Sequence, residues 1–459
     1  MFKKSSINMC EGPLLKNIII YTLPIILTGV LQLLFNAADL IVVGQFSSGV
    51  SVGAVGATGA LINLIVNLFL GLSVGAGVAV AQNLGAKNDR AVSRAVHTAI
   101  PISIVGGILM TAIGFFGAHW FLQLMDTPDT VIGLSTIYMK IYFCGMLPSF
   151  LYNFGAAILR AAGDTRNPLI FLTIAGVLNV ILNLIFVIVF HMDVAGVALA
   201  TVLSQVLSAV LILRALVRRS DACRLIFRQM RFHRDALLQI LRIGLSAGIQ
   251  GSIFSISNVL IQSSVNSFGD IVMSGNAAAA NIEGFVYTSM NAFHQTALNF
   301  IGQNMGARKY RRVDRVLVLC LILVVLTGLV LGTVAITFAR PLLSLYTPDT
   351  PEAFQYGIIR MSYVCAFYFT CGAMDVMTGA MRGMGYALAP MLISIFGVCG
   401  IRITWIYTIF RNPAYHSLES LYVSYPVSWV ITFSVQMICF LILRRRIRRR
   451  DPLALQEET

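Results

Sequence analysis

The sequence predicts an all-α integral membrane protein, with twelve transmembrane helices in two pseudo-symmetric six-helix lobes. Three observations predict it. Of 459 residues, 57% are hydrophobic and 11% charged, against roughly a quarter charged in an ordinary soluble domain. Apolar stretches long enough for the roughly 20 residues that cross a bilayer recur along the chain. The chain also repeats itself at a nearly constant offset.

In order, the first half holds apolar spans at about 15–45, 51–82, 95–121, 131–157, 168–190 and 195–217. The second half holds spans at about 238–266, 275–302, 316–339, 353–379, 386–410 and 420–443. Unpaired backbone groups are too costly in lipid for any form but a helix at this length and apolarity. This divides the chain into a first lobe at 1–217, a basic linker at 218–236, a second lobe at 237–446 and a polar tail at 447–459. The opening MFKKSS followed by an apolar run looks like a signal peptide. The run is too long for one and leads into eleven more spans, so no cleavage is expected. The eight cysteines include no CxxC, and Cys320, Cys365, Cys371 and Cys439 fall within spans as packing residues.

The basic residues set the orientation. Of 33 Lys and Arg, Lys140, Arg340, Arg360, Arg402 and Arg411 fall on or near alternate outer loops or spans, which leaves 28 towards the other side. By the positive-inside rule both termini are cytoplasmic, in a multi-pass protein of the cell (plasma or inner) membrane. The run RRRIRRR, Arg444 to Arg450, follows the last span. It is read as a stop-transfer and lipid-headgroup anchor rather than a nucleic-acid site. Membrane lipids are therefore expected partners and nucleic acid is not.

The repeat is most visible at AQNLGAKNDRAVSRAV from Ala81 against GQNMGARKYRRVDRVL from Gly302, an offset of 221. TPD at Thr127 recurs at Thr347, and Arg160, Gly163 and Pro168 recur as Arg382, Gly385 and Pro390. Leu23, Gly29, Asn36, Phe46 and Gly53 recur as Leu245, Gly251, Asn258, Phe268 and Gly275. Two copies of a six-helix unit follow. Because six is even, the copies share one orientation, related by an axis along the membrane normal, with a cavity expected between lobes that rock between inward-open and outward-open states.

LFNAADLIVVG in the first span, Pro24 fifteen residues before Asp39, the paired QNxGA loops, and LRAAGDTRNP with MRGMG after spans four and ten together resemble the MATE family of multidrug and toxic compound extrusion transporters. The resemblance covers nearly the whole chain. It implies secondary-active export of small amphiphilic, commonly cationic organic compounds in exchange for inward H+ or Na+ by alternating access. No other cofactor is expected, and the chain is expected to act as a monomer.

Asp39 stands out on physical grounds alone. A carboxylate in a membrane span costs about 2.5 to 3.5 kcal/mol on insertion scales, so intramembrane acids usually face a cavity or a partner. Span five carries Asn179 and Asn183 one turn apart, so both amides leave one face. Counted from the outer ends, Asp39 and Asn183 lie roughly 10 Å deep, Asn179 roughly 16 Å and Thr201 on span six roughly 9 Å. A carboxylate, two amide oxygens and a hydroxyl are hard oxygen ligands suited to a small cation such as Na+. Asparagines bonding across helices are the alternative. Against it, Asp39, Asn179 and Asn183 correspond in the second copy to Ile261, Ile401 and Trp405, so packing does not require them. The resemblance implies a cation or proton site at Asp39, Asn179, Asn183 and Thr201. It also marks a departure: some proton-coupled relatives have an acid where this chain has Asn183, and Asp39 would have to carry a proton alone.

Pro24 removes a backbone hydrogen bond and can kink span one, which marks it as a hinge linking Asp39 to the cavity. In the second lobe, Asp375 on span ten aligns with Asn153, and it matches an acid that relatives use in coupling or in binding cationic substrates. Glu283 on span eight has no such match in the family; it is read either as a substrate-cavity or second coupling residue or, more simply, as the partner of Arg402, which lies at a similar depth. The family's frequent span-seven acid is missing, with Gln250 and Gln262 the nearest polar residues.

Enzyme motifs fail on context. GLSVG at Gly71 to Gly75 spells GxSxG but lies inside span two, where small residues permit close helix packing. There is no Walker motif, and His294 is read as a satisfied polar residue rather than a metal ligand. The alternative function is a lipid-linked oligosaccharide flippase of the same superfamily, and a channel is less compatible with paired lobes and one-sided ion ligands.

Overall fold

The computed structural model describes residues 6–46, 49–125, 127–346 and 352–451. The second TPD motif, from Thr347, and tail residues 452–459 lie outside the described residues. Among the described residues, ten helices are long and apolar enough to cross a membrane, or eleven if the bent pair Asp129–Cys144 and Met146–Ala161 is one span. The expected count of twelve is thus not reached on length and composition. The remaining helix, Asp270–Gly306, has 37 residues and is long enough to cross, but Asn276, Asn281, Glu283, Asn291, His294 and Gln295 make it too polar. Its polar residues include functional candidates, so its low hydropathy has a physical reason.

The outward faces are apolar, as a hydrocarbon solvent requires. On span five (Arg166–Val189), Ile170, Ile174, Val177 and Ile181 are exposed, whereas Asn179 and Asn183 are buried. Span four bends by 45° between Cys144 and Met146. Pro148 sits in the first turn after the bend, where its ring is tolerated, whereas in an unbroken helix it would clash with the carbonyl one turn back.

The chain gathers into two compact units: Met1–Asn8 with Val30–Gly248, and Met9–Gly29 with Ile249–Thr459. Each unit takes one long helix in part, so helices Leu14–Phe46 and Arg234–Asn266 contribute to both. In the first unit the reason is a glycine contact. A Cβ on Gly71 would lie 2.6 Å from the Gly244 carbonyl oxygen and from Gly248 Cα, and one on Gly75 would lie 2.8 Å from Gly244 N. Two pairs of glycines four residues apart thus let two backbones touch. GLSVG is a packing surface.

In the second unit the repeat-equivalent contact is polar. Gly75 and Gly244 correspond to Thr296 and Thr22, whose hydroxyls are 2.8 Å apart. One turn further on, Tyr21 meets Phe300 edge-on at 5.2 Å between ring centres. The same register is held by backbone contact in one copy and by side chains in the other.

The repeat also extends to backbone conformation. Lys87 and Arg308, which follow the two QNxGA motifs, have φ of 54° and 55°, and Gly163 and Gly385 have φ of 85° and 90°. A wide π-helical turn at Ile185–Val189 recurs as Ile406–Phe410. Because it occurs in the copy without Asn179 and Asn183, it belongs to the scaffold. Of the cysteines assigned to packing, Cys320, Cys365 and Cys371 are buried.

Substituting Gly248→Val drives a side chain into the Leu68 backbone and is expected to destabilise by about 1 to 3 kcal/mol or more. Gly133→Ala, where a Cβ meets nothing within 4 Å, serves as the comparison. Thermal unfolding in detergent checks this: equal midpoints for the two variants would mean that the glycine contact does not hold the first unit together.

Candidate functional site

The first unit brings Asp39, Asn179, Asn183 and Thr201 together. The approach begins at Gly176 on span five, where a Cβ would collide with the Phe35 ring. With hydrogen there instead, Phe35 seats against span five. One turn on, Asp39 meets Asn183, seven residues along from Gly176.

Asn183 is fully buried. Its Nδ2 donates to Asp39 Oδ1 and, at 3.4 Å, to Asn179 Oδ1. Asn179 Nδ2 donates in turn to Thr201 Oγ1 at 3.4 Å, and the Thr201 hydroxyl donates to the Val197 carbonyl at 3.0 Å. Asn183 Oδ1 is buried and has no hydrogen-bond donor. A buried amide oxygen without a donor is costly unless something positive meets it.

Asp39, Asn179 and Thr201 line a cavity of about 140 Å³. Its wall also includes Gln32 and Asn36 from span one and Ser204, Gln205 and Ser208 from span six (Asp193–Val217). These five are absent from the sequence prediction. Their signal is nevertheless present: Gln32, Asn36 and Asp39 fall at i, i+4 and i+7, as do Thr201, Gln205 and Ser208, two polar stripes on otherwise apolar helices. Gln205 Oε1 is another buried oxygen without a donor.

The second unit holds the other predicted acids in two separate clusters. Glu283 does not pair with Arg402. Both Glu283 oxygens accept from Arg360, at 2.8 and 2.7 Å, and Arg360 also donates to Asn276 Oδ1 at 2.7 Å. Tyr422 donates to the same Asn276 oxygen at 2.9 Å. Arg402 instead stacks on Tyr425, 4.0 Å from the ring centre, and donates to Ser428 Oγ at 3.1 Å. Depth along a helix made Glu283 and Arg402 look like partners, but helix face decides contact. Arg360 and Arg402, counted from sequence as outer basic residues, are both buried within the second unit.

Asp375 is buried and is reached by the Tyr287 hydroxyl. Its backbone carbonyl faces His294 Nδ1 at 2.7 Å, which supplies His294 with the partner expected of a satisfied polar residue. Arg382, which shares the cluster, donates to Gln250 Oε1 at 2.8 Å and leaves its buried Nε unpaired. Gln262 accepts from Asn276 Nδ2 and donates to Asn266, both at 2.8 Å. Pro24 is buried in the second unit, within a helix that runs unbroken from Leu14 to Phe46.

The sequence matches one family model twice, once in each repeat. The MatE family model covers residues 24–185 and again 247–408. The chain belongs to the MATE family. Its members are membrane transporters rather than enzymes; they need no cofactor and in general couple transport to an ion. A probable multidrug resistance protein of Bacillus subtilis, YpnP, is 28% identical over 392 residues, 85% of this chain and 87% of its own length. A second from that organism, YoeA, is 25% identical and covers 90% of each chain. Among solved structures, a MATE crystal structure in complex with MaL6 superposes with a TM-score of 0.90 at 20% identity, covering 98% of this chain and 100% of its own. At that identity the last match shows the fold alone. This MATE chain is thus a multi-pass transporter of small organic substrates, from a family of multidrug exporters.

The corrected pairing has a consequence for stability. Arg360→Met leaves Glu283 buried without a counter-charge and is expected to cost about 3 to 5 kcal/mol, whereas the double variant Arg360→Met with Glu283→Met recovers most of that loss. Unfolding midpoints of the three proteins check this. A double variant as unstable as Arg360→Met would remove the ion pair as the cause.

Proposed function

We propose that the chain exports amphiphilic, commonly cationic organic compounds in exchange for an inward cation, and that Asp39, Asn179, Asn183 and Thr201 hold that cation. The observation that carries this is Asn183 Oδ1, a buried oxygen with no donor in a cluster with a carboxylate, a second amide and a hydroxyl. A sodium ion uses all these groups as hard oxygen ligands. A proton would use only Asp39, because an amide does not protonate at neutral pH. The ligand set therefore favours Na+ over H+ as the coupling ion.

Asp375 is assigned to a cationic substrate or to a second coupling step, since it is a buried acid in an apolar span with a tyrosine hydroxyl beside it. Glu283, the other candidate, has both oxygens engaged by Arg360 and enters this assignment second. Pro24 is assigned as hinge. Thr28 donates to the Pro24 carbonyl at 2.7 Å, and such back-bonding helps a helix bend. Bending of span one with the charge state of Asp39 would couple ion to substrate. The proposal places both termini and the basic linker in the cytoplasm of a plasma-membrane protein that acts as a monomer. The lobe limits 1–217 and 237–446, the linker 218–236 and the tail 447–459 remain part of it as the duplicated units of sequence. A flippase is not favoured, because the relatives above carry multidrug-resistance names.

One elementary charge moving down 100 mV releases about 2.3 kcal/mol, which supports roughly a fifty-fold gradient. Exchange of one monovalent cation for another moves no net charge, so only the ion gradient then drives export.

In proteoliposomes given a sodium gradient or a proton gradient alone, efflux of a fluorescent organic cation is expected with sodium. Asp39→Asn, which removes charge but little volume, is expected to reduce coupled efflux to the unloaded-liposome rate while the protein still folds. Normal export by the variant against a gradient would remove Asp39 from coupling, and efflux with the proton gradient alone would name H+ instead.

A further inference from the structure

The linker between the sixth and seventh spans forms an arch over the start of span three (Asp89–Leu124). It is tied down by two neighbouring residues. His97 is buried, its Nε2 accepts the Ile226 N–H at 3.0 Å, and its Nδ1 therefore carries the proton given to the Ser93 carbonyl at 2.7 Å. The His97 carbonyl accepts the Arg231 N–H at 3.2 Å, and Thr98 Oγ1 donates to the Arg231 carbonyl at 3.3 Å while accepting the His233 N–H at 3.1 Å. These bonds set Arg228 and Arg231 on the arch around the same cavity as Arg90 and Arg94, one turn apart on span three.

That cavity is about 580 Å³ and has one acid in its wall, Asp89. All four arginines are exposed. None of their guanidinium groups has a hydrogen-bond or ion-pair partner among the described residues. The positive field is felt locally: slight burial, then Arg231 and Arg94, hold His233 below the usual histidine range. Topology alone asks only that arginines be on this side of the membrane. It does not ask that four converge without counter-ions on one ordered cavity.

We propose that this cavity binds the phosphate headgroup of an acidic phospholipid. Forked guanidinium donors suit phosphate oxygens, and basic pockets at helix ends are where anionic headgroups bind. The choice of a lipid over a free phosphate rests on the arch itself. Ile226, Phe227 and Phe232 interleave with its arginines and are 38%, 55% and 52% exposed. Bare aromatic rings beside arginines suit the boundary of headgroup and acyl chain, not open water.

The test is native mass spectrometry of the full-length protein in detergent, titrated separately with dioleoyl phosphatidylglycerol, dioleoyl phosphatidylcholine and glycerol 3-phosphate. Wild type is expected to bind phosphatidylglycerol saturably and at least tenfold tighter than phosphatidylcholine. Arg90→Gln, Arg94→Gln, Arg228→Gln and Arg231→Gln together are expected to weaken it by roughly fivefold per arginine. A control losing the same charge at exposed arginines outside both this cavity and the Arg444 to Arg450 run, Arg166→Gln, Arg214→Gln, Arg242→Gln and Arg315→Gln, is expected to bind as wild type does. Unchanged binding in the first variant, or equal loss in the control, overturns the site. Full displacement of the lipid by glycerol 3-phosphate overturns the lipid assignment. Phe227→Ser with Phe232→Ser keeps every arginine and is expected to weaken lipid binding severalfold, so unchanged binding there overturns the assignment even if the arginine variant does not fold.

Discussion

A chain surrounded by hydrocarbon has to close its own hydrogen bonds, and everything else in this protein follows from that constraint. It makes every crossing segment a helix. It turns the burial pattern outward, so that Ile170, Ile174, Val177 and Ile181 face away from the protein while Asn179 and Asn183 turn in. It also makes each polar side chain within a span costly unless a partner or a function holds it. Asp39 has both in prospect: an amide donor from Asn183, and a cavity wall shared with Gln32 and Asn36.

Duplication acts as an internal control on this logic. Features kept in both copies belong to the scaffold, as with the left-handed residues Lys87 and Arg308, the glycines Gly163 and Gly385, and the π-helical turns in spans five and eleven. Other features differ between copies, and these divide in two. The Gly75 to Gly244 contact and the Thr296 to Thr22 hydrogen bond are two solutions to one packing problem. Asp39, Asn179 and Asn183, replaced by Ile261, Ile401 and Trp405, form a hydrogen-bonded polar cluster whose residues have no polar counterparts in the second copy. The second copy has its own polar clusters, one around Glu283 and Arg360 and one around Asp375 and Arg382, of which Asp375 and Arg382 align with Asn153 and Arg160 in the first copy.

Spacing within one helix was legible, because 3.6 residues per turn fixes which side chains share a face. It placed Asn179 and Asn183 together, and it held the unused signal of Gln32, Asn36 and Asp39. Contacts between helices were not legible where only depth was available. Glu283 and Arg402 share a depth, yet Glu283 faces Arg360 while Arg402 stacks on Tyr425. The polar helix Asp270–Gly306 shows a second limit. Hydropathy measures the average of a segment, and a helix that carries buried polar groups such as Asn276, Glu283 and His294 lowers its own average.

By itself the sequence determined the solvent, the helical class, the six-helix repeat and the family, because composition, span length and offset are properties of the chain read in one dimension. It also offered four residues as a candidate cation site, Asn179 and Asn183 from their spacing on one helix and Asp39 and Thr201 from their depth on two others. Only the tertiary structure decided that Gly176 admits Phe35, that Asn183 Oδ1 is left without a donor, and that Arg360 takes both oxygens of Glu283. These depend on the rotation of each helix about its own axis, and that rotation is fixed by packing against neighbours distant in the chain, 77 residues apart for Glu283 and Arg360 and 144 for Asp39 and Asn183.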